Sequence, residues 1–173
     1  MGARLLRSYV EQPLIGKSEI EERYDAIGEV NGSVMSREEL REYLHPIYDM
    51  ERLITRISYQ TANPRDLIAF RNSVQMLPAI RMVLSEFKSP ALVKLLDEMD
   101  ALEDIYQWID EAIVEEPPIS VHDGGIIKEG YFEEVDRLRR AKTDGKKWLA
   151  EIEANEREKT GIKTLRIKYN KVF

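Results

Sequence analysis

Apolar residues along this chain recur mostly three and four positions apart, with polar residues filling the gaps, the spacing of amphipathic helices. Leu5, Leu6, Tyr9 and Val10 keep that spacing up to Pro13, whose ring disfavours helix in the residue before it. Ile20, Tyr24, Ile27 and Val30 form one stripe opposite Glu19, Glu21, Glu22 and Asp25, and Ser18 is placed to cap that helix. Ser36 followed by Glu39 reads as a capping box opening a short helix over 37–44. Asp49 is expected to cap a helix carrying Leu53, Ile54, Ile57 and Ser58. Asn63, with Pro64 at the first helical position, starts another through Leu67, Phe70, Val74 and Leu77. Segments 78–87, one after Pro90, and 102–114 complete the run, and the short connections are those of an all-α packed core.

The pattern changes at Glu115. Glu116-Pro117-Pro118 stops the helix, and Gly124-Gly125 lies between Ile119, Val121 and Ile126, Ile127, which predicts a small hairpin or an ordered loop. Segment 132–158 then reads as one helix whose stripe, Val135, Leu138, Ala141, Trp148, Leu149 and Ile152, is narrow in a highly charged surround. At 1.5 Å per residue it spans roughly 40 Å, and its single stripe asks for a partner helix of similar length. Gly161 suits a helix C-terminus. Beyond it Thr164, Arg166, Lys168 and Asn170 alternate with Leu165, Ile167 and Tyr169, the period of a strand. The expected fold is therefore all-α: a multi-helix core bundle, one long protruding helix, a small hairpin or loop, and a short terminal β-strand. A long helix and a strand without partners point to part of a larger protein; two copies supplying each other's contacts would serve as well.

Composition narrows the function classes. Among 173 residues there is no apolar run long enough to span a bilayer, and residues 1–10 have no signal-peptide h-region, so a cytoplasmic location is expected. Without cysteine, disulfides, thiolate chemistry and Cys-based metal sites are excluded. A net charge of −6 and a pI near 5.2 oppose a domain that grips nucleic acid with its whole surface, so any DNA contact must be local.

Four motifs bear on chemistry. Gly16-Lys17-Ser18 resembles the end of a phosphate-binding loop, but the glycine required five positions before Gly16 is Glu11, and Gly16 reads as a turn. Glu42 and His45 have the Glu-x-x-His spacing of di-iron bundles; the only other histidine, His122, has Ile119 three positions before it, so no metal site is expected. Glu115, Glu116 and Asp123 flank the Pro-Pro turn, where acid–base work is conceivable and plain solvation is the ordinary role. No Ser-His-Asp arrangement or nucleophile elbow is present, and no catalytic, cofactor or metal residue is assigned. The tail differs: Arg157, Lys159, Lys163, Arg166, Lys168 and Lys171 face a lone Glu158. Arg166, Lys168, Asn170 and Lys171 are the candidate DNA-contacting residues; a row of cations guarding a strand edge reads equally well.

Several stretches together resemble one family. Gly2-Ala3-Arg4-Leu5-Leu6-Arg7-Ser8-Tyr9 with Gln12-Pro13-Leu14 is similar to the opening of the core domain of the MutS mismatch repair family. Asp49-Met50-Glu51-Arg52-Leu53, Asn63-Pro64-Arg65-Asp66-Leu67 and Ala112-Ile113-Val114-Glu115-Glu116-Pro117-Pro118 continue it in order. Gly124-Gly125-Ile126-Ile127 with Gly130-Tyr131, then 156–162 and Tyr169-Asn170-Lys171-Val172-Phe173, close it. The likeness spans essentially the whole chain and is nearer to bacterial mismatch-repair MutS than to its anti-recombination paralogue.

That resemblance implies a division into a helical core over 1–128, an outgoing lever helix over 129–160 and the first strand of a DNA clamp over 161–173. It implies a segment that couples ATPase state to clamp closure and is not catalytic itself, ATP and Mg belonging to an ATPase domain elsewhere in the parent protein. The implied partners are double-stranded DNA through the clamp, the other MutS domains, a second copy in a homodimer and a MutL-type repair protein, with no membrane; the implied location is the bacterial cytoplasm, associated with the nucleoid. The competing reading is a free-standing helical protein-interaction module.

Overall fold

A computed structural model describes residues 2–162 and 164–167. Among these the chain forms nine α-helices and one 3-10 turn, and it divides into two compact units, Met1–Ile126 and Ile127–Phe173. The first unit holds α1 (Ala3–Glu11), α2 (Lys17–Gly32), α3 (Val34–Leu44), α4 (Met50–Ser58), α5 (Pro64–Val74), α6 (Leu77–Leu84), α7 (Pro90–Glu98) and α8 (Glu103–Ala112). The second holds α9 (Glu133–Thr160).

Two expected caps form as the sequence dictates. The Asp49 carboxylate accepts the Arg52 N–H at 3.2 Å, and that bond, with the Arg4 guanidinium at 2.6 Å, holds its pKa below the usual carboxylate range. Asn63 and Asp66 form a reciprocal capping box around Pro64, at 2.9 and 2.8 Å. Two others fall elsewhere. Ser18 lies inside the first turn of α2, which starts after Gly16, and Ser36 lies inside α3, which starts after Ser33. The Ser36 hydroxyl is buried, donates to Glu86 at 2.8 Å and shares a bond with Ser33, so a tertiary carboxylate has displaced the local capping role.

The core of this unit is two apolar clusters. Ile80, Val83, Leu84 and Phe87 gather Val30, Leu40, Leu92 and Leu96 around them. Leu53, Phe70 and Val74 gather Leu77, Ile105 and Ile109. α6 therefore packs against α3 and α7, while α5 packs against α4 and α8. Polar side chains fix the ends of these helices: the Glu29 carboxylate on α2 accepts the Lys88 and Ser89 N–H groups at 2.7 and 2.8 Å, and Arg81 on α6 donates to the Leu96 carbonyl at 3.1 Å. α7 is thus capped at both termini by its neighbours. Ser73, fully buried on α5, donates to the Ala69 carbonyl and accepts the Tyr48 N–H, which ties the loop before α4 to the core.

After α8 the expected hairpin or loop is an ordered loop. The Val114 N–H donates to the Ile126 carbonyl at 2.9 Å, a 3-10 turn occupies Val121–Asp123, and Gly124 and Gly125 both have φ near +71°, the left-handed region that glycine enters freely. Two consecutive residues with positive φ turn the chain without extending a strand ladder. The terminal strand expected over 163–173 is not formed in its described part: Thr164 lies in a turn, and 165–167 are irregular. The rest of that segment lies outside the described residues.

Candidate nucleic-acid interface

α9 runs 28 residues, about 42 Å at 1.5 Å per residue, and buries none of them. Its ends account for much of its formation. Glu133, Glu134 and Asp136 fill the first turn, Arg157 and Lys159 the last, both complementing the helix dipole, and Gly161 closes it at φ 66°. The preceding segment is strapped to the first turns: Asp136 accepts the Gly130 N–H at 2.7 Å, and Arg139 donates to the Ile127 carbonyl. Leu138, Ala141, Gly145, Leu149 and Ile152 follow one another at three- and four-residue steps, so they share a face. That face is largely exposed, Leu138 at 62% and neighbouring Trp148 at 63%.

At the far end the chain turns back. Arg157 donates to the Leu165 carbonyl at 2.7 Å and pairs with Glu153, whose other oxygen accepts the Ile167 N–H at 3.0 Å. The backbone groups that a sheet partner would use at Leu165 and Ile167 are thereby taken by helix side chains, which is why no ladder begins here. Thr164 and Arg166 stand exposed on this turn. Of the four candidate DNA-contacting residues, Arg166 is described; Lys168, Asn170 and Lys171 lie outside the described residues.

The other motifs take structural positions. Gly16, Lys17 and Ser18 start α2, with Lys17 beside Glu21 at 3.4 Å, while Glu11 on α1 is held by Arg7 at 2.7 Å. Glu42 and His45 are exposed at the end of α3. Glu115 is the exception to the expectation of plain solvation. Arg71, only 4% exposed on α5, grips both its oxygens at 2.8 and 2.6 Å and also reaches Asp110 at 2.8 Å. The hydrogen bonds Arg71 donates to Glu115 hold its pKa above its ordinary value, so the guanidinium stays charged. With Arg65 donating to the Pro117 carbonyl at 3.0 Å, α5 clamps the exit from α8. A cavity of about 340 Å³ beside this clamp is lined by Tyr48, Arg65, Asn72, Glu115, Glu116 and Pro117.

One signal on α9 is legible in the sequence within its charged surround. Residues 137–147 hold six cations, Arg137, Arg139, Arg140, Lys142, Lys146 and Lys147, against the single Asp144. Arg139 is engaged by Asp136. Among the described residues Arg140, Lys146 and Lys147 are paired with no carboxylate.

The described residues thus form a helical domain, then a long, charged helix with nothing buried. The MutS domain III family profile matches residues 1–171, and the chain belongs to that family. It is 61% identical over its whole length to the DNA mismatch repair protein MutS of Lachnoclostridium phytofermentans, of which it covers 19%. It is 50% identical to the proteins of the same name from Caldanaerobacter subterraneus subsp. tengcongensis and Acetivibrio thermocellus, covering 20% of each. The chain thus spans about a fifth of the length of these curated relatives. Among the described residues no helix is long and apolar enough to cross a membrane.

Proposed function

We propose that this chain is the core and outgoing lever of a bacterial DNA mismatch repair protein, and that it passes nucleotide-driven motion from an ATPase domain elsewhere in that protein to a clamp that closes on duplex DNA. The division is that expected from the resemblance: core over 1–128, lever over 129–160, and the start of the clamp from 161. The observation that carries the reading is α9, a continuous helix of 28 residues with nothing buried and an exposed apolar stripe, in a chain of this family. A continuous helix of that length can transmit displacement as a rod. Chemistry is supplied elsewhere: ATP and Mg act in the ATPase domain, a homodimer and a MutL-type protein complete the assembly, and this segment contacts DNA through Arg166, Lys168, Asn170 and Lys171.

The test breaks the rod. In the full-length protein Gly145→Pro removes a helix hydrogen bond mid-shaft and kinks α9, whereas Gly145→Ala, whose Cβ meets nothing within 4 Å, favours helix. The proline variant is expected to keep ATP hydrolysis and lose ATP-dependent retention on end-blocked DNA, with the alanine variant unaffected. Normal retention with Gly145→Pro sinks the coupling role.

A further inference from the structure

We propose that the basic face of α9, formed by Arg140, Lys146 and Lys147 with Lys142 at its margin, is a second surface for duplex DNA, contacting backbone phosphates along the shaft rather than at the tip. That the polyanion is DNA rests on the function proposed above; that a polyanion binds here rests on the helix itself.

Charge is segregated along α9. The acids of the first turn complement the helix dipole, and Glu153 and Glu156 near the end pair with Arg157 and Lys159. Between them lie six cations and two acids, Asp144 and Glu151, in a chain whose net charge is −6. Lys142 and Lys146 are four apart, a like-charge spacing that works against the helix. Solubility alone is served by mixed signs, as on α2 and α3, so a cluster with this excess of cations, held at some cost to the helix, calls for an external anion.

Among the described residues that surface is exposed. At about 100° per residue, Arg140 and Lys147, seven residues or about 10 Å apart, lie within about 40° of the side opposite Leu138, Ala141, Gly145, Leu149 and Ile152, and Lys146 lies on the flank between them and the stripe. The apolar stripe and the basic face can therefore be occupied together. Lys and Arg at such spacing meet phosphates as charges on flexible stems and need no sequence. No aromatic side chain interleaves with them; Trp148 lies toward the apolar stripe. A single strand would use aromatic stacking, so the face fits the regular phosphate array of a duplex.

The experiment titrates the 173-residue chain with labelled duplex by fluorescence anisotropy at two salt concentrations. Arg140→Gln/Lys146→Gln/Lys147→Gln is compared with Arg166→Ala/Lys168→Ala, and circular dichroism checks the helix content of both. The triple variant is expected to lose roughly tenfold in affinity at low salt, and its salt slope to fall by about 0.9 for each phosphate contact removed. Arginine at 146 and 147 should restore both. If the triple variant keeps affinity and slope, or if no saturable duplex binding is found, the shaft surface is overturned. An inert tip variant beside a weakened triple variant overturns the tip row alone. Binding to polyglutamate or to single-stranded DNA as tight as to duplex would also overturn the proposal, since the face would then fit an acidic protein or an unstacked strand.

Discussion

α5 and α9 are both helices, and they are helical for different reasons. α5 has 11 residues and buries Phe70, Arg71, Ser73 and Val74; α9 has 28 and buries none. α5 opens with a reciprocal capping box, but its neighbours hold it: Leu53 from α4 and Ile105 and Ile109 from α8 close over Phe70 and Val74. α9 is held by terms that act within a few residues: acids at its start, cations and Gly161 at its end, and ion pairs such as Lys159–Glu156 at 3.2 Å. Burial of a large apolar side chain contributes about 1.5–3 kcal/mol, whereas an exposed ion pair contributes under about 1 kcal/mol. Helicity in one case is a consequence of the core; in the other it is local and open to a partner.

The comparison breaks first in exchange rates. The Val74 and Val83 amides should open only with the whole first unit, while amides over 148–158 need only local fraying. A gap of roughly a thousandfold or more in protection is expected by native-state hydrogen exchange in a demonstrated monomer. Equal protection in the two regions would mean that α9 has found a packing partner within the chain.

Smaller, but more local, is the cost of removing one apolar side chain from each helix. Phe70→Ala leaves a cavity in the α4–α5–α8 cluster and should lower stability by about 3–5 kcal/mol in urea unfolding. Leu138→Ala, on an exposed stripe, should change it by less than about 0.5 kcal/mol. A comparable loss at Leu138 would contradict the division between a packed unit and an unpartnered helix.

The smallest effect is a pH dependence confined to the first unit. Backbone N–H groups of Lys88 and Ser89 hold the Glu29 pKa below its ordinary value. A carboxylate lowered in the folded state adds stability above its unfolded pKa and loses it as pH falls through the folded value. Glu29→Gln should therefore flatten the decline in thermal stability below about pH 4, and leave α9 helicity at the same pH unchanged. An acid limb identical to that of the unaltered chain would show that the α7 cap does not contribute.

Much of this architecture was legible because helices announce themselves locally. Asn63-Pro64, Asp49 and Gly161 set ends that the chain adopts, and the stripe from Leu138 to Ile152 marked a helix longer than its own unit requires. Motifs that depend on distant partners were legible only as ambiguities. Ser36 carried a cap signature that Glu86, 50 residues away, turns into a buried tertiary bond. The alternation after Gly161 signalled a strand, yet Arg157 and Glu153 satisfy the backbone at Leu165 and Ile167 first.

By itself, then, the sequence determined the helical class, the separation of a packed region from a long charged helix, the family, and the lack of a complete phosphate loop, because each is written in spacing, charge and residue type over short stretches. Only the tertiary structure decided that Arg71 is buried against Glu115, that Glu29 and Arg81 cap α7 from either end, and that, among the described residues, Arg140, Lys146 and Lys147 are paired with no carboxylate. Those outcomes depend on which side chains meet across tens of residues, and no local pattern encodes that meeting.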